Sequence, residues 1–144
     1  MEYIIFWRNA MRIDVSNGVI INTKEVNVHD DLFHSLSFIR QERKLFLQLG
    51  KFADSQPYSI TCFGVLGFEM TSCDFWGASA RIFDVQSIKR DEQILFPKLC
   101  RLRPELNVES LGNLNPENDY LEILMTLSSG DQLRIVCESI LIDK

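Results

Sequence analysis

The chain is short of the features that mark most functional classes, and each shortage closes one off. No apolar run approaches the roughly 20 residues that span a bilayer. Residues 1–8 hold an apolar stretch too short for a signal-peptide core, with Glu2 where a positive region belongs, so the expectation is a cytoplasmic protein. The four cysteines, Cys62, Cys73, Cys100 and Cys137, form no C-x-x-C pair, which argues against a zinc ribbon or a dithiol redox site. The glycines build neither a P-loop nor a dinucleotide fingerprint, and no G-x-S-x-G elbow occurs. Positive charge is scarce too: 15 basic against 20 acidic side chains give a net charge of −5. Its nearest approaches to a basic cluster are Arg40, Arg43 and Lys44, interrupted by Glu42, and Lys98, Arg101 and Arg103. Nucleic-acid binding is therefore disfavoured, and a basic protein partner suits the surface better.

What is present is ordinary globular material. A chain of 144 residues, 46% hydrophobic with ten phenylalanines, can bury a continuous core and is expected to form a single domain, 1–144. Its clearest structure is C-terminal. Leu121, Ile123, Met125 and Leu127 alternate with Tyr120, Glu122, Leu124 and Thr126. After a Ser128-Ser129-Gly130-Asp131 turn, Leu133, Ile135 and Cys137 alternate with Arg134, Val136 and Glu138. Two period-2 runs around a glycine turn predict a β-hairpin. Ile140-Leu141-Ile142 is apolar on both faces, so something should cover that end of the sheet.

Further strands are expected at Tyr3 to Trp7, Val19 to Ile21 after an Asn17-Gly18 turn, Tyr58 to Phe63, Phe68 to Cys73 and Ala80 to Val85. Gly64 to Gly67 marks a bend, bulge or turn. The stretch from Asp30 to Gly50 reads two ways. A helix would be capped by Asp30 or Asp31 and stopped at Gly50. A hairpin sets Leu36 and Phe38 against Leu45, Leu47 and Leu49 around a polar turn, and fits the alternation better, because Arg43 interrupts the helical stripe. A short helix is expected to start near Asp91 as its cap, with Pro97 in the first turn. A long connection follows to Asp119. The predicted fold class is thus α+β and mainly antiparallel β: a curved sheet or sandwich built from hairpins, with one short helix.

Candidate chemistry is thin. His29 and His34 flank Asp30 and Asp31, and a small metal- or ligand-binding enzyme domain would use His29, Asp31 and His34. Their spacing matches no compact ligand pattern, and an ordinary turn or strand start accounts for them. Cys62 and Cys137 lie in strand interiors and read as small buried hydrophobes. Cys73-Asp74-Phe75-Trp76-Gly77 is the most distinctive local run. It serves either as a core closure or as an exposed aromatic anchor. No cofactor and no metal are expected.

Two stretches carry a family likeness. His29-Asp30-Asp31-Leu32-Phe33-His34-Ser35-Leu36 with Leu45-Phe46-Leu47-Gln48-Leu49, and the run from Ser129 to Ile140, resemble small strand-rich bacterial immunity proteins of polymorphic toxin and contact-dependent inhibition systems. The resemblance implies a non-catalytic scaffold that binds and neutralises a cognate toxin domain. It carries no defined binding residues. The acids Asp30, Asp31, Glu69 and Asp74, with Trp76, are the expected contact residues toward a basic partner. A third expectation is a structural subunit of a larger assembly.

Overall fold

The computed structural model describes residues 3–6, 15–16, 19–20, 28–54, 56–71, 81–102 and 120–143. The strands are β1 (Tyr3–Phe6), β2 (Val15–Ser16), β3 (Val19–Ile20), β4 (Leu32–Ile39), β5 (Lys44–Gly50), β6 (Pro57–Phe63), β7 (Gly67–Met70), β8 (Ile82–Ser87), β9 (Leu121–Leu127), β10 (Gln132–Cys137) and β11 (Ser139–Asp143). A 3-10 turn (Arg90–Glu92) precedes helix α1 (Leu95–Leu102). A five-stranded sheet has the order β1-β11-β6-β5-β4, a four-stranded sheet the order β7-β10-β9-β8, and β2 pairs with β3. All recorded pairings are antiparallel. The α+β class dominated by antiparallel strands is what the alternation predicts. Trp76, Asp74, Cys73 and the connection 103–119 lie outside the described residues.

The stretch from Asp30 to Gly50 is a hairpin. Leu45, Leu47 and Leu49 are buried on one face of β5, while Lys44, Phe46 and Gln48 are more open. Arg43 closes the turn at φ 52°, donating its N–H to the Arg40 carbonyl at 3.1 Å. The C-terminal hairpin is equally regular, with Leu133 opposite Met125 and Ile135 opposite Ile123. Gly130 takes φ 92° at its turn.

One ribbon then joins the sheets. β10 ends at Cys137 and the chain enters the other sheet as β11, while β6 runs into β7 alongside it. Hydrogen bonds hold this shared bend: Glu138 N–H to the Phe63 carbonyl at 2.9 Å and Leu66 N–H to Val136 at 2.9 Å. At another corner Leu32 bridges Arg81. There Asp30 donates to the Ile82 carbonyl at 2.8 Å, and Ile82 to that of Asp31 at 2.9 Å. The result is a curved sandwich whose inner faces interdigitate. Its interior keeps an apolar void of about 30 Å³ among Val28, Leu47, Ile60, Cys62, Ile135 and Ile142. That is room for little more than one water, with no polar wall to hold it, so the void is a packing gap rather than a ligand chamber.

The bend needs a glycine. Gly64 sits at φ +61°, and a β-carbon there would lie 2.5 Å from Glu138 Oε2. Gly64→Ala should therefore cost about 1–2 kcal/mol in left-handed strain alone, plus displacement of Glu138, read by urea unfolding. At Gly130 the φ is +92° but nothing lies within 4 Å. Gly130→Ala therefore reads backbone strain without a contact, at a φ further from the left-handed region open to alanine.

Helix α1 starts later than its sequence suggests. Asp91 lies in the 3-10 turn, and α1 begins at Leu95 with Pro97 in its first turn. The cap comes from across the fold. Glu122 on β9, fully buried, accepts from Ile94 N–H at 2.9 Å and Phe96 N–H at 2.7 Å. Arg134 Nη1 closes the same carboxylate at 3.1 Å. The helix lays Leu95 and Phe96 over Val136 and Tyr120 on the outer face of the four-stranded sheet, with Leu66 and Leu99 against them. The cover expected over Ile140-Leu141-Ile142 thus falls on Val136, while Leu141 stays half-buried in the other sheet. Among the described residues, no helix is long and apolar enough to cross a membrane.

Candidate interaction site

Three segments meet at the corner where β4 approaches β8. The turn before β4 is anchored by Val28, which is buried, and by the Asp31 N–H donating to the Val28 carbonyl at 3.1 Å. Asp30 adopts φ 66°, which turns two adjacent acids to different fates. Asp30 stays at the surface and meets His29 Nδ1 at 3.2 Å. Asp31 is only 5% exposed. Its Oδ1 accepts from Phe52 N–H at 2.9 Å and its Oδ2 from the Tyr58 hydroxyl at 2.5 Å. Burial first, and then the hydrogen bond and negative charge of Asp31, push the Tyr58 hydroxyl well above the usual tyrosine range. Asp31 is therefore a structural carboxylate that holds the β5–β6 connection against β4.

Two exposed aromatics belong to the segments that meet at this corner. Phe52 is 55% exposed, with the Arg81 guanidinium 5.1 Å from its ring centroid. A bulge between Ile82 and Asp84 interrupts β8 at Phe83, which is 62% exposed and lies 6.3 Å from the His29 ring. The Arg81 backbone is pinned on both sides: its N–H donates to Ser128 Oγ at 3.1 Å, and its carbonyl accepts from Ser128 N–H at 2.8 Å. Phe52, Phe83, His29, Asp30 and Arg81 thus form an apolar and charged rim on backbone fixed by long-range hydrogen bonds. Such a surface loses little entropy on binding, and exposed aromatics on fixed backbone suit a protein contact.

Glu69 is elsewhere. It lies on β7, at the opposite edge of the four-stranded sheet from β8, where Lys98 Nζ approaches it at 3.1 Å. The structure therefore brings Asp30 to the rim, buries Asp31 beneath it and separates Glu69 from both. Phe52, Arg81 and Phe83 escape a sequence reading. A hint exists in Ile82-Phe83, since adjacent apolar residues in a strand face opposite ways and one must look outward.

Cys73 lies outside the described residues, and among those described the structure does not bring His29, Asp31 and His34 together as one ligand set. Both Asp31 oxygens are engaged, and His34 is exposed in the β4 bulge between Phe33 and Ser35. Among the described residues, no group of three or more His, Cys, Asp or Glu side chains could hold a metal ion. Cys62 and Cys137 are free thiols buried in the core. The hydrogen bond with Cys62, followed by burial, pushes the Cys137 thiol up, which favours the unreactive protonated form.

No family model matches the chain, and no curated protein does. A solved structure described as the crystal structure of an uncharacterized protein from Neisseria gonorrhoeae aligns with 81% of this chain and 92% of its own, at 14% identity and a TM-score of 0.46. A likeness this loose carries no argument about function.

Proposed function

We propose that this chain is a non-catalytic protein-binding domain, and specifically a cytoplasmic immunity protein that binds and neutralises a cognate bacterial toxin. The observation that carries the binding role is the exposure of Phe52 beside Arg81 and of Phe83 beside His29 and Asp30, on hydrogen-bonded backbone. Aromatic anchors beside charge supply both affinity and orientation at protein contacts. The likeness of residues 29–36, 45–49 and 129–140 to immunity proteins supplies the toxin, and the net charge of −5 favours a basic one.

The test is affinity capture from the native cell with the full chain as bait, followed by titration of the partner recovered. A stoichiometric toxin domain is the expected catch. Phe52→Ala and Phe83→Ala should each weaken its binding by about 2 kcal/mol, while Asp30→Lys should act mainly on the association rate. A partner that binds the double phenylalanine variant as tightly as the wild type would remove the rim from the proposal. A stoichiometric partner with no toxic activity would remove the toxin.

A further inference from the structure

Cys62 and Cys137 lie far apart in the sequence, and the fold makes their side chains neighbours. Cys62 is on β6 of the five-stranded sheet, opposite Ile140; Cys137 ends β10 of the four-stranded sheet, opposite Leu121. Strand alternation sends both inward. Cys62 shares its face with Ile60, and Cys137 shares its face with Leu133 and Ile135, all buried in one cluster. The sheets are joined here by the shared bend, where the Glu138 N–H donates to the Phe63 carbonyl at 2.9 Å. Each partner in that bond is the chain neighbour of one cysteine, so the backbones that carry the pair are tied together. Inside the bend the two free thiols are hydrogen-bonded to each other. A disulfide requires side chains that converge from backbones already close, and the bend supplies both. Cys62 also lines the apolar void of about 30 Å³, which leaves its sulfur room to move toward its partner.

We propose that Cys62 and Cys137 are a latent disulfide, closed by a low-molecular-weight disulfide such as oxidised glutathione into a staple that joins the two sheets at their shared bend. One cysteine thiolate attacks a sulfur of oxidised glutathione, forming a mixed disulfide and releasing one glutathione thiolate. The second cysteine thiolate attacks the protein sulfur of that mixed disulfide, closes the Cys62–Cys137 bond and releases the other glutathione. The two cysteine protons pass through water to the two released glutathiones. Two protein thiols are thereby oxidised by two electrons, and one glutathione disulfide is reduced to two thiols.

In the folded chain the pair is sealed. Both side chains are buried, and the contact with Cys62 and burial hold the Cys137 thiol protonated. Oxidation therefore takes place while the chain is open, and folding then retains the bond. By linkage, the factor by which the fold favours the bond is the factor by which the bond favours the fold. The staple is separate from the aromatic rim and stands whatever that rim binds.

The test uses the full-length chain carrying Cys73→Ser and Cys100→Ser, which leaves Cys62 and Cys137 as its only thiols. It is brought to equilibrium with mixtures of reduced and oxidised glutathione, in native buffer and in urea, from both the reduced and the oxidised chain. The native chain should close the bond at a glutathione poise about a hundredfold or more less oxidising than the unfolded chain needs. The oxidised form should melt about 10 °C above the reduced form. A native chain that needs an equal or more oxidising poise than the unfolded one overturns the staple. So does glutathione retained on either cysteine, or an oxidised form that melts below the reduced one. If the double serine variant melts early, peptide mapping of the oxidised wild type without reductant decides the matter. A Cys62–Cys137 cross-link in a folded chain with a raised melting temperature supports the bond. Either cysteine joined instead to Cys73 or Cys100 overturns it.

Discussion

Glu122→Ala should destabilise the protein by about 3–5 kcal/mol, the cost of leaving one member of a buried ion pair without its partner. Glu122 is fully buried and the Arg134 side chain only 16% exposed, so the guanidinium left behind has little access to water. The same change strips the acceptor from Ile94 N–H and Phe96 N–H at the start of α1. Those groups belong to the orphan donors of a helix start, and an N-cap alone is worth about 1 kcal/mol. Set against total stabilities of about 5–15 kcal/mol, the loss is a large share. Glu122→Gln keeps the shape and one acceptor, and should cost less. Denaturant unfolding measures both variants, and hydrogen exchange of the Ile94 and Phe96 amides in Glu122→Gln locates the damage. A loss below about 1 kcal/mol in Glu122→Ala would mean that the helix docks through Leu95, Phe96 and Tyr120 without the carboxylate.

This carboxylate also shows where sequence reading stops. In the sequence, Glu122 is a polar residue alternating with Leu121 and Ile123, and alternation assigns it to a solvent face. That face is instead covered by α1, whose amides lie 26 and 28 positions away along the chain. A local cap was visible at Asp91, yet the helix begins at Leu95 because a better acceptor arrives from β9. The hairpins were legible for the opposite reason. Leu45, Leu47 and Leu49, or Ile123, Met125 and Leu127, declare their face through a period that needs no knowledge of the rest of the chain. The passage from β10 into the other sheet as β11 was not legible, since Cys137, Glu138 and Ser139 read as one uninterrupted strand. The rim was still less so. Phe52 and Phe83 lie far apart in sequence, and their exposure depends on a bulge and on a carboxylate beneath them.

Asp31→Ala should cost about 3 kcal/mol, and the loss should appear in stability rather than in any association rate. Both bonds to Asp31 run to a charged acceptor, one from Phe52 N–H and one from the buried Tyr58 hydroxyl. A surface acid steering a basic partner would behave otherwise: its removal would slow association and leave unfolding untouched. Asp30→Ala, one residue earlier and half-buried beside His29, serves as the comparison, with a stability change within about 0.5 kcal/mol. The Tyr58 partner adds a pH signature. Because its folded pKa lies above the unfolded value of about 10, its share of stability is complete below that pH. As pH rises past about 10, tyrosine in the unfolded chain ionises while folded Tyr58 stays protonated, and stability falls by up to about 1.4 kcal/mol per unit from this residue. Tyr58→Phe should lose stability near neutrality and show a shallower decline above about pH 10. If the alkaline slopes of Tyr58→Phe and the wild type coincide, the hydroxyl is not the group that Asp31 holds protonated. The carboxylate would then act on the fold through Phe52 alone.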